Sequence, residues 1–435
     1  MNDHESGVLA HLLEGAGYRE VPDPAEADVI LVNTCAIREK AEQKVYSQLG
    51  RYRSLKESRP GLVLAVGGCM AQSEGRRVLS RAPFVDLVFG THALMDVPSL
   101  LGRVREQRRR IVATEVSSDP SRVEALYAHS RGLGLKAFVT VMHGCDNFCA
   151  YCVVPHVRGR EMSRPASEIV AEVERLSAEG VVEVTLLGQN VNSYGQKPQG
   201  DTSFAELVRR VAAVEGVRRI RFTTSHPKDL SEDLITLFAE ETKLMPHIHL
   251  PLQSGSDRIL RAMNRGYTSA HYRALVEKLR RIVPGIAVTS DLIVGFPGET
   301  EGDFEATLRV MAEIVFDNLF SFKFSPRPRT AAAAMIDALP AGVKEERLQR
   351  LQALQREHTL QRNQELVGRI CTVLVEGASR VGGAQWTGRT PENKIVNFPG
   401  PGVGVGEELA VRIAGARINS LVGELAGAEA PCTCK

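Results

Sequence analysis

Three cysteines crowd into eight residues in Gly144-Cys145-Asp146-Asn147-Phe148-Cys149-Ala150-Tyr151-Cys152, with the spacing C-x3-C-x2-C. Thiolates at that separation can wrap one loop around a single iron-sulfur cube, so that three irons take a protein ligand and the fourth stays open. An open metal position is where a metal site does chemistry. Two other readings explain the thiols but not their neighbours: a zinc site that borrows a fourth ligand from elsewhere, and a cluster of core cysteines.

The elements that must position this loop read as a βα barrel. After a polar segment from Thr114 to Gly134, a strand over Ala137 to His143 feeds directly into the cysteines. Five further strand-like runs alternate with helices: Val182 to Leu187, Ile220 to Thr224, His247 to Leu252, Ile286 to Val294 and Leu319 to Phe324. Six such units predict a parallel, partly closed barrel, with the active site over the carboxyl ends of its strands. The helices are well marked. Pro165 to Glu179 carries Ile169, Val170, Val173 and Leu176 on one face and stops at Gly180, and Thr300 with Asp303 predicts a capping box. Polar residues recur at the strand ends: Gln189 and Asn190 after the second, Ser225 and His226 after the third, Gln253 and Ser254 after the fourth, with Ser290 and Asp291 inside the fifth. Each alone reads as a cap or a loop hydrogen bond. Their recurrence predicts one polar mouth. His156, His226, His247 and His249 read individually as packing or surface residues rather than metal ligands.

The flanking regions differ from this middle. Residues Glu5 to Ala16 place Val8, Leu9, Leu12 and Leu13 on one helical stripe. Apolar runs at Val29 to Asn33, Leu62 to Val66 and Val85 to Phe89, with a helix from Ile37 to about Leu49, predict a small α/β domain with a largely parallel sheet. Cys35 and Cys69 each stand just past a strand end, where such sheets hold ligands, and their matched placement predicts one shared site. No strand feeds the first helix, which would leave the neighbouring strand with an unpaired edge. At the other end, Val343 to Leu366 reads as a charged amphipathic helix with Leu348, Leu351 and Leu354 as its stripe. Beyond Gly368, runs at Cys371 to Val375, Ile395 to Phe398, Leu409 to Ile413 and Ser420 to Leu425 predict a small antiparallel barrel. Barrels of this size often bind looped RNA through basic and aromatic side chains, for which Trp386, Arg389, Asn393 and Lys394 are the candidates. Cys432 and Cys434 have metal-binding composition in a tail expected to fray.

At 435 residues the chain has room for about three domains, at roughly 150 residues each. Charged residues make up 24% and apolar ones 43%, and no apolar run approaches the roughly 20 residues of a membrane span. With no secretory signal, the expected compartment is the cytosol, where clustered cysteines act as ligands sooner than as disulfides. The net charge of +2 announces no global attraction to nucleic acid. The densest basic run, Arg103, Arg105, Arg108, Arg109 and Arg110, reads as a solvated linker face.

The stretch Cys145-Asp-Asn-Phe-Cys149-Ala-Tyr-Cys152-Val-Val-Pro155-His-Val-Arg158-Gly-Arg160-Glu161 resembles the radical S-adenosylmethionine loop of the methylthiotransferase family. Asn33-Thr34-Cys35-Ala-Ile-Arg38 and Gly67-Gly68-Cys69-Met70-Ala-Gln72 resemble the two later cysteine motifs of that family's amino-terminal domain. Thr387-Gly388-Arg389-Thr390, Asn393-Lys394 and Asn397-Phe398-Pro399-Gly400 resemble the branch that modifies prenylated adenosine in tRNA, the last barrel then being a TRAM domain. The resemblance covers nearly the whole chain in order. It implies an amino-terminal domain over residues 1–115, a radical S-adenosylmethionine (β/α)6 partial barrel over 131–366 and a TRAM barrel over 367–430.

It also implies two 4Fe-4S clusters and two uses of S-adenosylmethionine. Cys145, Cys149 and Cys152 would hold the radical cluster, with Gln189, Asn190, Ser225, Gln253 and Asp291 toward S-adenosylmethionine. A 5'-deoxyadenosyl radical would take hydrogen from carbon 2 of the adenine, and the auxiliary cluster on Cys35 and Cys69 would supply a methylated sulfur. The expected product is 2-methylthio-N6-dimethylallyladenosine beside the tRNA anticodon. The implied partners are tRNA, an electron donor such as flavodoxin or ferredoxin, and a sulfur source; no membrane is expected, and the chain would act as a monomer. Methylthiolation of threonylcarbamoyladenosine in tRNA, or of an aspartate on a ribosomal protein, is the rival within the family. A zinc-stabilised RNA-binding protein without catalysis is the rival outside it.

One departure stands out. The family's auxiliary cluster takes its first cysteine from a Gly-Cys-Gln-Met-Asn motif, whereas here the sequence opens Met1-Asn2-Asp3. A start upstream of Met1 would explain both the missing strand and the missing ligand, and the in-frame upstream codons test it. A chain with Cys35 and Cys69 alone is expected to cleave S-adenosylmethionine but transfer little sulfur.

Overall fold

The computed structural model describes residues 2–34, 39–117, 132, 134–197, 200–380, 382, 385–400 and 402–426. The first unit is a four-stranded parallel sheet in sequential order: β1 (Val29–Thr34), β2 (Val63–Gly68), β3 (Leu87–Phe89) and β4 (Ile111–Ala113). Every residue of β2 is buried, because apolar layers cover both faces of the sheet. The helix Asn2–Gly15 seals one face through Val8 and Leu9, packed with Val63, Ala65 and Phe89. The helix expected to stop near Leu49 runs over Glu39–Ser58, since Tyr52 and Leu55 continue its contact with the other layer. The short β4 was not expected; three residues after an arginine run carry little pattern, and only their pairing with β3 makes them a strand.

The middle unit is the predicted half-barrel with one correction. Parallel strands β5 (Lys136–Thr140), β8 (Glu183–Leu187) and β9 (Arg219–Thr223) form one triplet. A second triplet holds β10 (His247–His249), β11 (Ala287–Val294) and β12 (Asn318–Lys323), joined to the first by a parallel bridge from Ile220 to Leu244. The expected strand from Ala137 to His143 breaks at Val141. Val141 still donates to Leu187, but β6 (Met142–His143) swings away to pair antiparallel with β7 (Met162–Ser163). The cysteine loop is therefore the head of a hairpin rather than a simple βα connection. Helices including Ala166–Ala178, Glu301–Ile314 and Ala341–Gln364 cover the outer face, burying Ile169, Val173, Phe304 and Leu351 in one core. The Thr300–Asp303 capping box is present.

The last unit is a closed barrel in the order β13 (Ile370–Ala378), β14 (Gln385–Arg389), β15 (Ile395–Pro399), β17 (Leu421–Leu425), β16 (Glu408–Ala416). β14 has no apolar alternation and was missed in the sequence. It is a strand because β13 and β15 pair with it on either side. Among the described residues no helix is long and apolar enough to cross a membrane.

Candidate active site

The cysteine loop is folded by backbone contacts rather than by its own periodicity. Gly144 takes a left-handed φ of 78°, and a Cβ there would collide with the Arg160 carbonyl, so only glycine lets the hairpin legs approach. Cys145 donates its amide to Gly159 at 3.3 Å, and Cys152 donates to Cys149 at 2.9 Å. From below, Asn264 Nδ2 donates to the Asn147 and Phe148 carbonyls at 3.3 and 3.1 Å. Ala150 donates to Met263 at 2.9 Å and accepts from Ala332 at 2.7 Å. Residues after β10 and after β12 thus hold a loop that follows β5.

Cys145 and Cys149 are buried and Cys152 is half-buried. Burial pushes the Cys145 thiol up to about 11, and burial, with the nearby Cys149, pushes Cys152 up to about 12. Thiols in such a place ionise only when something cationic compensates, which is what iron does. Cys149 also has a fixed cationic neighbour. Arg265 Nη1 donates to its Sγ at 3.3 Å, while the buried guanidinium is held by the Tyr267 hydroxyl at 3.0 Å and the Pro251 carbonyl at 2.9 Å. Among the described residues no three His, Cys, Asp or Glu side chains are placed to hold a single metal ion. A cube that gives each thiolate its own iron does not need them to converge on one point, so three thiols of one loop can serve it.

The mouth around the loop is lined with polar atoms that lack partners. Both amide atoms of Gln189 are buried with no hydrogen bond, as are both of Asn192; Asn190 donates to Asp229 at 2.7 Å but leaves its Oδ1 unpaired. The buried Ser225 hydroxyl has no partner, and neither does Nε2 of His226, a ring that burial pushes down to about 2 and so keeps neutral. Native proteins pair nearly all such groups, and their concentration at one set of strand ends marks a place prepared for a ligand. Gln253 is buried with a left-handed φ of 71°, its amide donating to the Asp291 carbonyl at 2.8 Å. Asp291 shares the half-exposed face of β11 with Thr289 and Ile293, its carboxylate 3.5 Å from His249 Nε2. Three participants escaped the sequence reading as individual ligands: Arg265, Asn192 and Glu161. The Glu161 carboxyl accepts from Ser193 at 2.9 Å, leaves Oε1 unpaired, and is raised above the usual range by burial.

The other expected cysteine site falls in the first unit. Cys69 opens the short helix Cys69–Glu74 directly after β2, and it is buried. A Cβ at Gly68 would strike the Thr34 carbonyl, and Thr34 pairs in register with Gly68, so the chain positions just before Cys35 and Cys69 are neighbours. Cys35 itself lies outside the described residues, as do Cys432 and Cys434. Cys69 and Met70 share an apolar core with Val153 and Val157, which belong to the turn and helix that follow Cys152.

The basic and aromatic candidates in the last barrel are engaged with other groups of the protein. Lys394 Nζ is 2.7 Å from the Asp317 carboxylate at the start of β12, and Arg389 Nε is 3.0 Å from Glu376. Trp386 donates its indole N–H to Gly400 at 2.8 Å and packs against the barrel core, and Asn393 Oδ1 accepts from Arg389 at 3.1 Å. From the half-barrel, Arg219 reaches Glu408 at 2.6 Å and the Arg389 carbonyl at 2.8 Å, while Arg221 donates to Pro391 and Thr390. The motif docks one unit on another. Beside it lies a cavity of about 520 Å³, bordered by His247, Thr289, Phe320, Asn393 and Ser420, at the end of the barrel opposite the cysteines. The side chains of Arg103, Arg105, Arg108, Arg109 and Arg110 are exposed, as a solvated face requires.

Three family descriptions match in the order of these units: "Uncharacterized protein family UPF0004" over residues 1–90, "Radical SAM superfamily" over 139–311 and "TRAM domain" over 364–426. A tRNA-2-methylthio-N(6)-dimethylallyladenosine synthase of Geobacter metallireducens is 53% identical over 426 residues, covering 98% of this chain and 96% of its own. The synthase of the same name from Syntrophus aciditrophicus is 51% identical over 425 residues, with 98% and 92% covered. The chain belongs to the radical S-adenosylmethionine methylthiotransferase family. Membership brings a 4Fe-4S cluster and S-adenosylmethionine with it. Among solved structures, the radical S-adenosylmethionine methyltransferase TsrM of Kitasatospora setae superposes with a TM-score of 0.57 at 16% identity, covering 76% of this chain and 72% of that one, a likeness of fold.

Proposed function

We propose that this methylthiotransferase places a methylthio group on carbon 2 of N6-dimethylallyladenosine beside the anticodon of tRNA. Cys145, Cys149 and Cys152 hold the radical cluster, and Cys35 and Cys69 contribute to an auxiliary cluster that supplies sulfur. When bound, the cluster with S-adenosylmethionine supplies an electron and a carbon-centred radical. The chain's own residues do the rest. The three thiolates would hold the cluster. Arg265 places a fixed positive charge on the Cys149 sulfur. Gln189, Asn190, Ser225, Gln253 and Asp291 bind and orient S-adenosylmethionine, and the apolar half-barrel beneath them excludes water that would quench a radical. Residues 1–115, 131–366 and 367–430 act as three domains of one monomer, with flavodoxin or ferredoxin as electron donor and an external sulfur source.

The observation that carries this reading is the placement of the three-thiol loop at the carboxyl mouth of a parallel half-barrel, with Cys69 packed into the core of the helix that follows it. Mass spectrometry of tRNA nucleosides from a deletion strain tests it. The methylthio group is expected to vanish and to return with the intact gene but not with Cys149→Ala. Its persistence in the deletion strain refutes the proposal.

A further inference from the structure

Two segments that carry no cysteine hold the two centres together. Glu5 belongs to the helix Asn2–Gly15, which packs on the sheet whose β2 leads into Cys69. Arg158 ends the helix Val154–Arg158, which starts just after Cys152. Arg158 Nη1 lies 2.6 Å from Glu5 Oε1, with the guanidinium 4% exposed and the carboxylate 0%. Other contacts gather around the pair. Thr91 donates its hydroxyl to the Val157 carbonyl at 2.6 Å, and the rings of His92 and His143 meet edge to face at 5.5 Å. Nδ1 of His4 stands 3.3 Å from the Thr140 hydroxyl of β5.

The apolar contact between Cys69, Met70, Val153 and Val157 supplies adhesion, and adhesion of that kind is non-directional. A buried pair of opposite charges is different. Sliding it by one position would strand a guanidinium and a carboxylate in a dry interface, so it singles out one register. We propose that the Glu5–Arg158 pair is a positioning clamp that sets the distance between the radical-forming loop and the Cys69 centre. Neither residue touches the reacting atoms; the pair acts through the helix behind Cys152. This rests on the reading above that Cys69 belongs to the sulfur-supplying centre. With the clamp intact, the radical-forming loop and the Cys69 centre keep the separation that sulfur transfer needs. Without it, S-adenosylmethionine is still cleaved but the radical is spent elsewhere, because displacing reacting groups by about 1 Å costs on the order of a hundredfold in rate.

The test uses the reconstituted full-length holoenzyme and tRNA lacking the methylthio group, and measures 5'-deoxyadenosine and methylthiolated nucleoside in the same reaction. Glu5→Gln keeps the shape and removes the charge. It is expected to raise the ratio of 5'-deoxyadenosine to product about tenfold or more, with iron and sulfide content unchanged. In the unloaded protein, hydrogen exchange is expected to speed up in residues 2–15 and 154–158 together. Should Glu5→Gln fail to fold because Arg158 loses this counter-charge, the double variant Glu5→Gln with Arg158→Met removes both charges. The same raised ratio is expected from it. A wild-type ratio in either folded variant overturns the clamp. Cys69→Ala separates the two claims: if it still yields full product, the auxiliary-centre reading falls, whatever Glu5 does.

Discussion

The half-barrel is docked on two sides by opposite chemistries. Toward the first unit it presents Val153 and Val157 to Cys69 and Met70, with the shielded Glu5–Arg158 pair beside them. Toward the last barrel it presents Lys136, Arg219 and Arg221 as cations, and Asp317 as acceptor for Lys394. The carboxylates on the last barrel's side are less sheltered, with Glu376 24% exposed and Glu408 29%, although Arg219 and Asp317 are themselves buried. The difference follows from what each side handles. On the proposed reading, the cysteine side keeps water from a radical, which suits a largely apolar contact. The TRAM domain is gripped by hydrogen bonds to its backbone carbonyls and by ion pairs whose carboxylates on the barrel stay partly exposed.

The largest test of this contrast is Arg219→Ala. It removes the nearer of two cations beside Glu408, Arg218 remaining at 3.9 Å, together with two carbonyl bonds, and is expected to cost about 3 kcal/mol, because three acceptors lose a charged donor. Differential scanning calorimetry should show the last barrel melting separately from the half-barrel; a single unshifted transition would mean that the charges do not carry the dock.

Acid acts next. Burial holds His4 down at about 3 and His247, beneath the last barrel, also at about 3, against an ordinary value of 6.5. The unfolded chain takes up protons that the folded one refuses, so stability is full above about pH 6.5 and falls as pH drops toward 3. Asp317 contributes later. Burial alone would raise its carboxyl, but Lys394 and Arg362 overcome this and hold it below the usual carboxylate range, so its share survives until the pH falls below about 4. Melting midpoints taken between pH 7 and 4 should decline by several degrees, and a flat profile would contradict both assignments.

Thr300→Ala is a control remote from both docks. It deletes the capping box and is expected to cost about 1 kcal/mol in denaturant titration without changing the separation of melting transitions. The smallest effect is that of salt. Raising ionic strength from about 0.1 to 1 M shortens the screening length from about 10 to 3 Å. Hydrogen exchange should rise a few-fold at β13 and β14 and stay unchanged at residues 154–158. Equal acceleration on both sides would erase the distinction.

Much of the architecture was legible because it is written in short range. The apolar runs of β1, β2, β8, β11 and β12 announce themselves by composition, and Thr300 with Asp303 marks a helix start within four residues. β14 did not, because Gln385–Arg389 is a strand only by virtue of its two neighbours. The break at Val141 was hidden for a similar reason: nothing in the local pattern reveals that Met142 and His143 pair with residues 20 positions on. Basic side chains were the hardest to place. Lys394 and Arg389 carry the composition of an RNA contact, and what turns them inward is Asp317, far away in the chain, and Glu376 on the paired strand β13.

By itself the sequence placed three thiols at a spacing that can wrap one cluster, since the reach of thiolates depends on separation within eight residues. It also determined that the loop follows the first strand of a parallel barrel and therefore lies at the mouth. Only the tertiary structure decided what surrounds those thiols: Arg265 against Cys149 from 116 residues away, and Glu5 against Arg158 from 153. The physical reason is that the strength of a charge on a sulfur, or of a clamp between two centres, depends on distance and burial in space, and neither is set by separation along the chain.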